Sequence, residues 1–195
     1  MRKFLQLSLF IFFTAAVQAQ TPSGVPVYKI ATGSGTVGFS VKASVPIQGA
    51  FTKWNATLSF TSSNVATGVL NIEIQAASVE TGSRMKNDKL KGKDFFDSKQ
   101  NPLITFRSTK IVQTAPTTFA VDGKFTLRGV TKDEQLTLVA SRTAVGAADL
   151  KGTMAFDRKH FGMNSGIPFI KIADRVEVNV DLHVKRVSGP PLALK

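Results

Sequence analysis

Apolar and polar residues alternate along most of this chain. Val176, Val178, Val180, Leu182 and Val184 alternate with Glu177, Asn179, Asp181, His183 and Lys185. Leu70, Ile72, Ile74 and Ala76 alternate with Asn71, Glu73 and Gln75. The same rhythm carries Phe119, Val121, Gly123, Phe125 and Leu127, and again Val37, Phe39, Val41 and Ala43. Weaker copies occupy residues 54–60, 103–111, 136–140 and 150–156, and a further strand is expected at 27–31. Successive strand side chains point to opposite faces, so each stretch predicts a strand with one apolar face. Eight or nine strands result. Helix is scarce: only residues 83–93 suit one, just before Asp94-Phe95-Phe96-Asp97. Pro102 restricts Asn101 and marks the restart of a strand. A second loop is expected over 161–169, with Gly162, Gly166 and Pro168.

Strands apolar on one face and joined by short turns belong to antiparallel sheets. This many must split into a sandwich or close on themselves. Long strands in consecutive hairpins favour closure, which leaves no open edge. The expected fold is all-β: an antiparallel up-and-down, lipocalin-like β-barrel of about eight strands with one short helix. Such a barrel is just wide enough to be filled by side chains or to hold one small ligand. The outward faces carry Glu, Asn, Lys and Thr, which argues against a lipid-facing outer-membrane barrel.

The ends of the chain read differently. Met1-Arg2-Lys3, an apolar run from 4 to 17 and Val17-Gln18-Ala19 form a secretory signal pattern, with cleavage expected after Ala19. The apolar run is short for a membrane span. Export to the periplasm or medium is therefore expected, with the barrel domain over 20–187 and a flexible tail over 188–195.

Composition narrows the chemistry. The 195 residues include 25 Lys and Arg against 13 Asp and Glu, for a net charge of +12. Loss of the first nineteen residues leaves +10. The absence of Cys excludes disulfides, thiolate metal sites and a Cys nucleophile, and His160 and His183 alone make a multi-histidine metal site unattractive. No nucleophile elbow, HExxH, glycine-rich phosphate loop or carboxylate pair stands out. A non-enzyme without a cofactor is the expectation. The basic residues are scattered and lack an exposed aromatic platform, which argues against nucleic acid as a partner.

Two features remain as candidate binding chemistry. Phe39, Phe60, Phe106, Phe119, Phe125 and Phe156 fall on apolar strand phases, where they either line a channel for a long hydrocarbon or fill a closed core. Arg84, Lys86, Lys89, Lys91 and Lys93 form a dense basic cluster. On a helix Lys86, Lys89 and Lys93 share a side. They form either an electropositive rim for a head group or anionic membrane surface, or a solvated helix face.

Three segments together resemble a known family. They are the Asp94-Phe95-Phe96-Asp97 turn followed by Pro102-Leu103-Ile104-Thr105-Phe106, the run Leu127-Arg128-Gly129-Val130-Thr131, and Arg158-Lys159-His160-Phe161-Gly162. They resemble the YceI-like family of exported, lipocalin-like proteins that bind polyisoprenoid lipids. The resemblance implies a barrel around an apolar channel holding a polyisoprenoid or other long-chain lipid for transport or storage. It implies an apolar channel, for which the candidate positions are Phe39, Val41, Phe60, Leu70, Ile72, Ile74, Phe106, Phe119, Phe125, Leu127, Phe156, Val178 and Val180; the residues themselves offer Lys86, Lys89, Arg158 and His160 as a head-group rim, against a solvated helix face for the lysines and a turn in which Arg158 bonds carbonyls. The chain departs from the family at Lys86-Asn87-Asp88-Lys89-Leu90, where many members carry Arg-Asp-x-His-Leu. The alternative is a filled barrel whose basic surface docks an anionic envelope partner.

Overall fold

The computed structural model describes residues 24–31, 33, 35–166 and 170–194. The expected signal segment and part of the 161–169 loop lie outside the described residues. The strands are β1 (Val27–Ile30), β2 (Thr36–Ala43), β3 (Ile47–Phe51), β4 (Trp54–Ser59), β5 (Val69–Gln75), β6 (Val79–Glu80), β7 (Leu103–Ala115), β8 (Thr118–Leu127), β9 (Val130–Ala144), β10 (Ala147–Asp157) and β11 (Ile172–Ser188). One helix, α1 (Arg84–Lys91), lies between β6 and β7.

All strands join one sheet in the order β4-β5-β7-β8-β9-β10-β11-β2-β3-β6. Its two ends meet through the chain itself. β4 follows β3 across Thr52 and Lys53, and β6 follows β5 across a 3-10 turn at Ala76–Ser78. Thr52 N donates to Ser78 O at 3.1 Å and Gln75 N to Lys53 O at 3.0 Å, carrying the bonding across both joints. The sheet therefore curls into a barrel of eight staves, two of them bent. This explains why eleven strand segments answer to the expected eight or nine. β1 prolongs the β2 stave along the far half of β11, and its Tyr28 ring packs 5.6 Å from Phe60 beyond β4.

The alternation places the core as expected. Leu70, Val121 and Leu182 are fully buried, and Ile72, Phe106, Leu136 and Val180 nearly so. β9 and β11 run longer than their apolar patterns because neighbouring strands hold their polar ends in the ladder, β8 at one end of β9 and β10 at the other. The β8–β9 hairpin turns through Arg128 and Gly129 with φ of 53° and 72°. Positive φ at both central residues matches strand twist in a two-residue hairpin, which accounts for the Leu-Arg-Gly-Val segment. Beyond Ser188 the chain passes beside residues 63 and 64, where Ala193 N donates to Ser63 O at 2.8 Å.

Two inward glycines shape the barrel's waist. A Cβ at Gly123 would come within 2.6 Å of the Phe106 ring, and one at Gly152 would overlap Val180 and crowd Leu138. Without side chains on β8 and β10 at these points, Phe106 and Val180 lean across the interior and close it at mid-height. The fold thus has a cavity at each end rather than one open tube.

Candidate binding site

The first cavity lies beneath α1. Its volume is about 70 Å³, and its wall is apolar apart from Arg158. Phe39, Val41, Ile74, Phe125, Leu127, Phe156 and Val178 line it, as the sequence pattern suggested. Leu90, Phe95 and Phe96 complete the wall from α1 and the turn after it. Phe39, Phe51 and Phe96 pack with ring centroids 5.6 to 5.9 Å apart. Phe125, Phe156 and Phe161 form a second cluster at 5.1 to 5.3 Å.

The Phe pair turns inward for a local reason. Gly92 stops the helix, and Phe96 N donates to Leu90 O while Asp97 N donates to Gly92 O. Asp97 adopts a φ of 48°, which Asp tolerates better than bulkier residues. Asp94 accepts from Lys89 Nζ at 2.7 Å and from Ser165 Oγ at 3.4 Å, tying the turn to the loop after β10.

The N-terminal end of α1 is held by a polar knot. Asn87 is buried at 7% exposure. Its Oδ1 accepts from Thr81 N and Thr81 Oγ1 at 2.9 and 2.7 Å, and its Nδ2 donates to Glu80 Oε1 at 3.0 Å. The bond from Asn87, then that from Gly82 N, holds the Glu80 carboxyl below its usual range. Lys89 does the same for Asp94. Both folded-state values are depressed, so the stabilisation is present above the ordinary carboxylate values and lost as pH falls through the lower folded ones. Amide exchange protection over 84–91 is therefore expected to fall between pH 6 and pH 3. Glu80→Gln, which still accepts from Asn87, should weaken that dependence; an unchanged pH profile in this variant would contradict the assignment.

The other predicted site residues separate. Phe60 and Phe119 line a second cavity of about 440 Å³ at the opposite end, by the β9–β10 hairpin. Leu70, Ile72, Phe106 and Val180 occupy the waist and line neither end cavity. Lys86, Lys89 and His160 are exposed and line neither. Arg158 is buried, but its donors are engaged. Nε bonds Ala173 O, Nη1 bonds Met163 O and Ser165 O, and Nη2 pairs with Asp174 at 3.2 Å. Lys159, which also pairs with Asp174 at 2.8 Å, is the main cause of the lowered Asp174 carboxyl pKa.

Residues that pattern reading missed include Leu90, Phe95, Phe96 and Met163 in the first cavity and Arg142 and Arg186 in the second. The two arginines had a signal. They continue the inward phases of β9 and β11 past the last apolar residue.

A sequence model of the YceI-like domain matches residues 28–184. A UPF0312 protein of Pseudomonas savastanoi pv. phaseolicola is 35% identical over 86 residues, covering 44% of this chain and 45% of the relative. The match thus spans just under half of that relative's length. A UPF0312 protein of Vibrio cholerae is 25% identical over 150 residues, covering 72% of this chain and 74% of its own. Among solved structures, Burkholderia cenocepacia BcnA superposes with a TM-score of 0.72 at 27% identity, covering 80% of this chain and 99% of BcnA. A polyisoprenoid binding domain from Saccharophagus degradans superposes with a TM-score of 0.64 at 14% identity, covering 83% and 99%. The second likeness concerns the fold alone.

Proposed function

Because this chain belongs to the YceI-like family, we propose that it is a binding protein that holds a polyisoprenoid or similar long apolar chain inside its barrel. The observation that carries this reading is the interior itself: an apolar column with a cavity at each end and a lid of Leu90, Phe95 and Phe96 over one of them. The solved polyisoprenoid binding domain with the same fold supports it. The mechanism is desolvation. Each buried methylene contributes about 0.8 kcal/mol, from which the ordering of chain and side chains subtracts. No chemical step is involved, and the protein transports or stores its ligand.

At about 70 Å³ the cavity beneath α1 is smaller than the roughly 150 Å³ that admits benzene. A chain must displace the lid and waist side chains to enter. The lid is the part best suited to move, because the carboxylates that anchor it, Glu80 and Asp94, line neither cavity. The small cavity favours the competing reading of a filled barrel that docks an anionic partner. The signal pattern in the sequence supports work outside the cytoplasm, where the basic chain would meet anionic membrane surfaces transiently while exchanging its lipid.

Protein purified from its native host, extracted with organic solvent and analysed by mass spectrometry should release a long-chain lipid at close to one per chain. A ligand-free barrel from that source would overturn the proposal in favour of the filled barrel. Val178→Phe narrows the cavity without adding polarity and should cost about 1–3 kcal/mol. It should lower the bound lipid at least fivefold with the β-sheet circular dichroism retained.

A further inference from the structure

We propose that the mouth beside the β9–β10 hairpin holds the anionic head of the bound lipid, with Arg142 and Arg186 as its charged contacts. This rests on the lipid-holding reading and specifies its polar end.

The strand phases single out these two residues. On β9 the inward row runs Leu136, Leu138, Ala140 and then Arg142. On β11 it runs Val180, Leu182, Val184 and then Arg186. Toward this hairpin both rows are apolar and then turn cationic at the rim, whereas at its other end the β9 row passes to Glu134 and Lys132. The register places the two residues on either side of the same hairpin: Arg142 lies opposite Ala148, and Arg186 N donates to Gly146 O at 2.7 Å.

The space between them has the right size. The cavity of about 440 Å³ falls within the range of small-ligand sites. Phe119, Leu138 and Leu150 form apolar wall within it, and no Asp or Glu lines it. An anion there meets positive charge at the rim without a competing carboxylate.

Available donors favour this end over the other. Among the described residues the Arg142 side chain makes no hydrogen bond or ion pair. Arg186 spends one nitrogen on Gly189 O and keeps further donors of its five. At the α1 end Arg158 is engaged by three carbonyls and Asp174, and Lys89 by Asp94. Those two cations are already neutralised, and Lys86, Lys93 and Lys132, which carry no ion pair among the described residues, line neither cavity. A free guanidinium fork matches a carboxylate or phosphate in two parallel bonds. This puts the head group at the mouth opposite the rim expected from Lys86, Lys89, Arg158 and His160.

The full chain, stripped of lipid on hydrophobic resin, should be titrated calorimetrically with farnesyl phosphate, farnesol and inorganic phosphate. Farnesyl phosphate is expected to bind at least tenfold more tightly than farnesol. Arg142→Glu, at an exposed position, should abolish that preference. Lys132→Glu, the same charge change at the other end of β9, should preserve it. Equal affinity for farnesol and farnesyl phosphate overturns the head-group site and leaves the lipid-holding reading standing. Persistence of the preference in Arg142→Glu, or its loss in Lys132→Glu, also overturns the site alone. Inorganic phosphate binding as tightly as farnesyl phosphate would identify a bare anion site and exclude the lipid head. If neither farnesyl compound binds, the lipid-holding reading fails and the head-group site with it.

Discussion

Phe161→Ala is expected to destabilise the protein by about 3–5 kcal/mol, in the range for truncating a fully buried Phe. Phe161 has no exposed surface, and its ring meets those of Phe125 and Phe156 at 5.3 and 5.1 Å. It stands on a 3-10 turn that Gly162 ends with a φ of 74°, so the backbone cannot follow a shrinking side chain inward without breaking that turn. The loss should appear as a lower urea midpoint with an unchanged slope, since the surface exposed on unfolding hardly changes. A loss below about 1 kcal/mol would show that the loop collapses into the space. The variant has a second expected property. Phe125 and Phe156 line the small cavity, so removing the ring behind them enlarges it. Benzene should then restore part of the stability by mass action, and no restoration would mean that the space has closed.

Arg158→Met should cost about 2–4 kcal/mol, for a different reason. The guanidinium is 8% exposed and serves the carbonyls of Ala173, Met163 and Ser165 together with Asp174. Met fills the volume of the stem and removes every donor. Asp174 is 40% exposed and recovers water, so the cost falls mainly on the carbonyls. Two of them, on Met163 and Ser165, sit in the loop that brings Ser165 to Asp94, so proteolysis within 161–166 should accelerate along with the drop in denaturation midpoint. Arg158→Lys supplies a single donor head in place of a fork and should recover less than half of the loss. Full recovery by Lys would show that charge, rather than the directed bonds to three carbonyls, is what the site needs.

Much of the interior was legible because strand alternation maps one residue type onto one face. The periods at Leu70–Ile74, Phe119–Leu127 and Val176–Val184 all ended in the barrel core. What alternation does not report is height along the barrel axis. Phe39, Phe106 and Phe119 look alike in sequence, yet they fall under the lid, at the waist and by the far mouth. Their heights follow from register between strands, set by ladders such as Phe106 opposite Phe125. Charge density along the chain points to Lys86 and Lys89. Their density reflects an exposed helix face, whereas Arg142 and Arg186 are isolated in sequence and converge only when β9 and β11 flank β10. Asn87 gave no signal: a polar residue within a charged helix looks solvated until the helix is docked with that face inward.

By itself the sequence determined the all-β class, the inward faces and the one short helix, because these depend on side-chain period and local backbone preference. The tertiary structure decided that the interior divides into two cavities, that α1 with Phe95 and Phe96 lids one of them, and that Arg142 and Arg186 meet at the other. Each of these depends on which residues from distant strands share a level, and on whether a charged group finds a partner across the barrel. Period along the chain carries neither quantity.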